Sequence, residues 1–195
     1  MPKILKVSHS TLCNIIFYIV QLFTIAGMLF YKKIIYVPDA SFNLLLYTVI
    51  LILEKKKWIQ FKNSIRILLI ATIFTHNLIG ELIGLYDNPV SFLYFDKVFH
   101  LFGTFSISLF AFSLVNCIER FPLITRFQYF IFVLILGMSI GAIFELIEFL
   151  LDVILKVKNQ RDLVDTNLDM LFDLAGSVFA GLVAGRKKTA LLKNS

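Results

Sequence analysis

Residues 127–151 read FQYFIFVLILGMSIGAIFELIEFLL, and the only charged residues in this run are Glu145 and Glu148. A helix needs roughly 20 mostly apolar residues to cross the hydrocarbon core of a bilayer. Backbone hydrogen bonds cannot stay open in hydrocarbon, so a spanning segment is a helix or part of a closed barrel. The run is continuously apolar and does not alternate, which predicts a transmembrane helix.

The composition extends this prediction to the whole chain. Of the 195 residues, 58% are hydrophobic and 16% are charged, whereas a soluble domain is about 25% charged. The mean hydropathy is +0.84. A globule of this size cannot bury that much apolar surface. We therefore predict an all-α, polytopic bundle that forms one integral membrane domain over residues 1–195, with spans at about 12–31, 41–53, 64–86, 95–117, 127–151 and 167–185.

The basic residues predict how the chain sits in the membrane. They punctuate the apolar runs at the span ends, so the net charge of +6 favours a membrane surface as partner and not nucleic acid. Thirteen of the nineteen Lys and Arg fall on the side of the two termini. The positive-inside rule then places both termini in the cytoplasm of a multi-pass protein of the cell (inner or plasma) membrane. The sequence leaves protein partners open.

The acidic residues show a second asymmetry. Only Glu54 and Glu119 fall on the cytoplasmic side, and the other eleven of the thirteen acids fall on the opposite side. Acids contribute little to topology, so the orientation rule does not account for this distribution. We interpret it as carboxylates gathered at the extracytoplasmic ends of spans three to six.

The spacing of these acids predicts a shared polar site. Residues three or four apart lie on one face of a helix, and an ionisable group inside a span is a functional-site hypothesis by default. Small residues at 137, 141, 176, 177, 180 and 181 continue these faces and favour close helix packing. The candidate metal ligands are Glu145, Glu148, Asp165, Asp169 and Asp173, the candidate catalytic pair is Asp96 and His100, and the candidate supporting residues are His76, Asn77, Glu81 and Asp162.

Buried carboxylates require compensation by a hard cation, by shared protons or by basic partners. Oxygen-rich ligand sets suit Mg²⁺, Mn²⁺ or Ca²⁺, and an added histidine makes Zn²⁺ possible. Simpler interpretations stay open for single residues. Glu145 and Glu148 are candidates for plain pairing with Lys97 or Arg161, and His76 for helix packing. Asp162 and Asp165 are candidates for solvated residues or helix caps. Asp152 is a candidate loop residue, and Asp87 a candidate turn residue.

Three segments carry a family resemblance: FDKVFH at 95–100, FELIEF at 144–149 and DLVDTNLDM at 162–170. Their order and spacing resemble the YjdF-like bacterial inner-membrane proteins over about residues 64–185, and more loosely the VanZ-like membrane proteins. Trp58 is the only tryptophan, whereas the YjdF group carries tryptophans around its acidic motifs. The resemblance implies a membrane fold with a site, and it does not imply a substrate.

Three functions from different classes fit these observations. The first is a metal-dependent enzyme that acts on a lipid or lipid-linked head group, although the sequence leaves open whether the chain is an enzyme. The second is a transporter-like protein that binds protons or cations, and the third is a partner or regulatory subunit. The depth of the acidic residues separates these functions. Converging buried carboxylates favour an enzyme or an ion site, whereas an exposed acidic rim favours a surface that binds a partner.

Overall fold

A computed structural model describes residues 9–118, 125–156 and 159–186. These residues form helices without strands, and six helical segments are long and apolar enough to cross a membrane. The all-α, multi-pass membrane fold predicted from the sequence is therefore confirmed. The helices are α1 (His9–Phe30), α2 (Val37–Lys55), α3 (Asn63–Ile73), α4 (Pro89–Ile118), α5 (Arg126–Leu155) and α6 (Leu163–Arg186).

Several residues used to predict the orientation lie outside the described residues, namely Lys3, Lys6, Glu119, Arg120, Lys158, Lys187, Lys188 and Lys193. Successive spans run in opposite directions. The start of α2, the end of the third span, the start of α4, the end of α5 and the start of α6 therefore share one face of the bundle. Which face is cytoplasmic stays a prediction.

Four of the five span ends at this face extend beyond the predicted bounds, whereas the third span ends at Leu82, before the predicted residue 86. The second span begins at Val37, after a 3₁₀ turn at Ile34–Tyr36, and not at residue 41. Pro38 lies in its first turn, where the missing N–H costs no hydrogen bond. Asp152 lies inside α5, so its prediction as a loop residue is wrong. Its carboxylate accepts hydrogen bonds from the backbone N–H groups of Asn159 (2.8 Å) and Gln160 (2.9 Å), which ties the following loop to the helix end.

The third span changes its winding halfway along. α3 ends at Ile73 and continues as a π-helix over Phe74–Leu82. A π-helix has more residues per turn and often occurs at functional sites. Asn77 and Glu81 both lie buried in this segment. The chain then turns at Gly84, whose φ of +93° lies in the region that glycine adopts without strain, and Asp87 lies in the turn as predicted.

Small residues let α4, α5 and α6 pack closely. The predicted small-residue faces of α5 and α6 are confirmed, because Gly137, Gly141, Gly176 and Ser177 are all buried. A Cβ atom at Gly176 would lie 3.0 Å from the backbone nitrogen of Phe105, so α4 and α6 touch backbone to backbone there. This close approach brings the polar side chains of the three helices together at the acidic face.

Candidate functional site

Lys97 organises the acidic residues of α4 and α6. Its Nζ lies 2.5 Å from Asp165 Oδ1, 2.6 Å from Asp169 Oδ1 and 3.1 Å from Asp96 Oδ2. All four residues are buried. The sequence suggested Lys97 as a partner for Glu145 and Glu148, but in the structure Lys97 pairs with aspartates instead. An ionisable residue inside an apolar helix indicates a buried partner, but the sequence does not show which carboxylate lies opposite it.

His100 lies one helical turn deeper on α4 and faces four carboxylates. Its Nδ1 is 3.2 Å from Asp173 Oδ1. Its Nε2 is 3.5 Å from Asp169 Oδ1, 3.8 Å from Asp96 Oδ1 and 3.9 Å from Glu145 Oε1. Three distances of 3.5 Å or more from Nε2 are too long for good hydrogen bonds. They match the separation of neighbouring ligand atoms around one ion, since each ligand lies about 2.0–2.3 Å from a bound metal.

Two buried carboxylate oxygens in this site have no hydrogen-bond partner among the described residues: Glu145 Oε1 and Asp173 Oδ2. The other oxygen of each residue is bonded. Gln160 donates to Glu145 Oε2 at 2.9 Å, and the Thr104 hydroxyl donates to Asp173 Oδ1. A Cβ at Gly141 would lie 2.5 Å from Asp173 Oδ2, so glycine makes the room for that free oxygen. A buried acceptor without a donor is costly and requires an explanation.

The side chains around His100 form two groups that fit a metal ion. One contains Asp96, His100 and Asp169, and the other contains His100, Glu145 and Asp173. In each group the ligand atoms lie within 4.8 Å of one another. The two groups share His100. The second group contains Glu145 and Asp173, which each have one buried oxygen without a hydrogen-bond partner among the described residues. The aspartates of the first group, Asp96 and Asp169, already pair with Lys97.

A second polar cluster lies between the start of α2 and the π-helix. His76 Nε2 is 3.3 Å from Asp39 Oδ2 and 3.7 Å from Glu81 Oε1. Asn77 Nδ2 donates to both of these carboxylates, at 2.6 and 2.7 Å. Asp39 was not predicted as a site residue. Its position in the first turn of α2, at the face that carries most of the acids, could have indicated it. Asp39, His76 and Glu81 form a third group whose geometry fits a metal ion.

Aromatic rings pack against His76 in the second cluster. The Phe99 ring stacks on His76 at 5.1 Å, and Phe99 is the neighbour of His100 in α4. His76 Nδ1 lies 3.0 Å from the hydroxyl of Tyr86. Burial, and then the nearby carboxylates of Asp96 and Glu81, raise the pKa of Tyr86 well above its usual value. Tyr86 therefore stays a neutral phenol. His76, Asn77 and Glu81 belong to their own cluster and do not surround His100.

The remaining predicted residues have separate positions. Asp162 caps α6, because its Oδ1 accepts the N–H groups of Val164 (2.8 Å) and Asp165 (2.9 Å); the capping interpretation is confirmed. Asp165 is buried against Lys97 and belongs to neither group around His100. Glu148 is half-buried at the end of α5 and also belongs to neither group. The roles of Asp165 and Glu148 as metal ligands stay predictions.

Comparison with known proteins places the chain in a family. The family described as "Predicted membrane protein (DUF2238)" matches residues 12–189. A protein of Thermotoga maritima described as "Uncharacterized protein" is 29% identical over 141 residues, which cover 70% of this chain and 69% of that protein. No solved structure matches. These matches support the resemblance to the YjdF-like membrane proteins, while the resemblance to VanZ-like proteins stays a prediction. The chain belongs to the DUF2238 family of membrane proteins.

Proposed function

We propose that this protein holds a divalent metal ion between His100, Glu145 and Asp173 and uses it on a lipid or lipid-linked head group. The observation that carries this proposal is the pair of free, buried oxygens on Glu145 and Asp173 beside His100. A metal ion would satisfy both of them at once. The proposal places this chemistry on the face of the bundle that the charge distribution predicts to be extracytoplasmic.

The charge of the site supports a cation. Lys97 supplies one positive charge and is paired with Asp96, Asp165 and Asp169. Five buried carboxylates therefore face one lysine and one histidine, because Glu145 and Asp173 lie within ion-pair distance of His100. Burying unpaired charge is expensive, and a divalent ion offsets two negative charges without adding another side chain. One imidazole with two carboxylates suits Mn²⁺ or Zn²⁺ better than Mg²⁺ or Ca²⁺, which prefer oxygen ligands alone.

The proposed set of three ligands is typical of a catalytic metal site and not of a site that only binds the ion. Three protein ligands leave coordination positions for water or substrate, as in catalytic metal sites. A metal there polarises a phosphoryl or carbonyl oxygen or lowers the pKa of a bound water. In this proposal His100 is a ligand and not an acid or base. Asp96, with Oδ1 3.8 Å from His100 Nε2, is the remaining candidate to take up a proton.

Burial weighs against one alternative. The carboxylates around Lys97 and His100 are buried, which disfavours a surface for a basic partner, although Asp87 and Asp162 at the same face are exposed. Transporter sites usually lie near the middle of the membrane. Asp173 is the eleventh of the 24 residues of α6, so the depth of the site does not separate an enzyme from a transporter. A cation-binding protein without catalysis remains the second candidate, because the same free oxygens support it.

The test is turnover of a native lipid. The purified protein, supplied with Mn²⁺ or Zn²⁺, is incubated with the polar lipids of its source membrane, and lipid mass spectrometry follows each species. We expect the wild type to consume one class of lipid and Glu145→Gln to be slower by at least about tenfold, the lower end of the effect of altering a metal's surroundings. Asp162→Asn, which removes a carboxylate from the same face outside the site, is the control. Metal binding without consumption of any lipid would contradict the proposed enzymatic function and would support a protein that binds a cation without catalysis.

A further inference from the structure

A cavity lies at the opposite end of the bundle from the acidic site. It has a volume of about 530 Å³ and lies between the starts of α1 and α3 and the end of α2. Its lining includes Lys55, Gln60, Lys62, Asn63 and Arg66. The volume is in the range of small-molecule sites. This cavity is independent of the cation site and of the function proposed for it.

Arg66 offers an unused donor to this cavity. Its guanidinium donates from NH2 to Glu54 at 2.8 Å and from NH1 to Asn14 Oδ1 at 3.1 Å. Its Nε has no hydrogen-bond partner among the described residues, although the side chain is only 8% exposed. Glu54 also lines the cavity, but its charge is balanced by Arg66. The guanidinium in the wall of the cavity therefore contains a buried N–H group without an acceptor among the described residues.

The start of α3 adds positive potential at the same place. No side chain caps this helix end, and its first turn contains no acidic residue. Free N–H groups at a helix N-terminus form a favourable position for an anion. Lys55 and Lys62 lie beside it. With Arg66 and Glu54 counted as a pair, the two lysines leave the lining with an excess of two positive charges.

Trp58 shows where this cavity lies relative to the membrane. Its side chain is 67% exposed, and the Nζ of Lys56 lies 5.1 Å from its ring. Tryptophan with lysine is typical of the head-group level of a membrane. We propose that the cavity binds a phosphate group, presented by the head group of an anionic lipid or by a soluble phosphorylated compound.

The experiment uses Trp58 as a reporter, because it is the only tryptophan of the chain. The detergent-solubilised protein is titrated separately with inorganic phosphate, with short-chain phosphatidylglycerol and with short-chain phosphatidylcholine, while Trp58 fluorescence is recorded. We expect a saturable change with phosphatidylglycerol or with phosphate. A response to phosphatidylglycerol alone identifies a lipid head group as the source, and a response to inorganic phosphate as well identifies a site for soluble phosphate.

The variants separate this cavity from general surface charge. Lys55→Gln/Lys62→Gln should weaken the apparent affinity by at least about tenfold, because charge-assisted hydrogen bonds are lost. Lys57→Gln is the control, since it removes one nearby positive charge from a residue outside the cavity lining; its affinity should stay within about twofold of the wild type. An absent saturable response to both phosphate sources would overturn the proposal, as would equal weakening of the double variant and the control.

Discussion

Single residues decide how the acidic end of this protein is held together. Lys97 contacts Asp96, Asp165 and Asp169, so one ammonium group ties α4 to α6. His100 stands next to this ion-pair network and faces Glu145 and Asp173. The network and the proposed metal ligands are thus different residues. The sequence predicted the acids and His100, but it did not predict which of them Lys97 would pair with, because spacing along one helix does not show which helix lies opposite.

Replacing Lys97 should cost much more stability than replacing an exposed lysine. Lys97→Met leaves buried aspartates without their cation, and breaking a buried ion pair from one side costs about 3–5 kcal/mol. Lys33→Met is the control: Lys33 pairs with Asp87, which is 47% exposed, and donates to the carbonyl oxygen of Glu81 at 2.7 Å, so the loss should be about 1–2 kcal/mol. Chemical unfolding of the detergent-solubilised proteins measures both. Equal losses would contradict the structural role of Lys97.

Helices and their contacts set the positions of these residues. The sequence predicted the six spans because long apolar runs are a strong signal, and the errors fall at helix ends. The second span begins earlier than predicted because Pro38 fits the first turn of α2, and Asp152 belongs to α5 and not to a loop. The π-helix at Phe74–Leu82 was not predicted, since no residue pattern distinguishes it from an α-helix.

The contact between α4 and α6 should depend on one glycine. Gly176→Ala would push a methyl group against the backbone of Leu101 and Phe105, which cannot move aside like a side chain. We expect a loss of about 1–3 kcal/mol, as for other overpacked cores. Gly103→Ala in α4 meets only the Phe99 ring at 3.5 Å, an ordinary contact, and should be neutral or slightly stabilising. Unfolding measurements that showed Gly103→Ala to be the more damaging change would contradict this packing.

The whole molecule places different polar features at its two ends. One end holds the buried carboxylates, Lys97 and His100, and the other holds the cavity with Lys55, Lys62 and Arg66. The gathering of acids at one membrane face was predictable from the sequence, because topology alone assigns each span end to a side. Their division into two clusters was not, since it depends on which helices pack together: Asp39, His76 and Glu81 form one group, and Glu145 and Asp173 form another with His100. The cavity at the other end was not predicted either, because its lining comes from three helices, α1, α2 and α3, and from the connection between α2 and α3.

Metal content tests the central claim most directly. Wild type, Glu145→Gln and Asp162→Asn are purified in detergent, loaded with Mn²⁺ or Zn²⁺, freed of unbound ion and examined by elemental analysis. We expect about one ion per chain in the wild type and in Asp162→Asn, and a loss of at least about tenfold in affinity in Glu145→Gln. Absence of bound metal from the wild type with both ions, or equal retention by Glu145→Gln, would contradict a metal held by His100, Glu145 and Asp173.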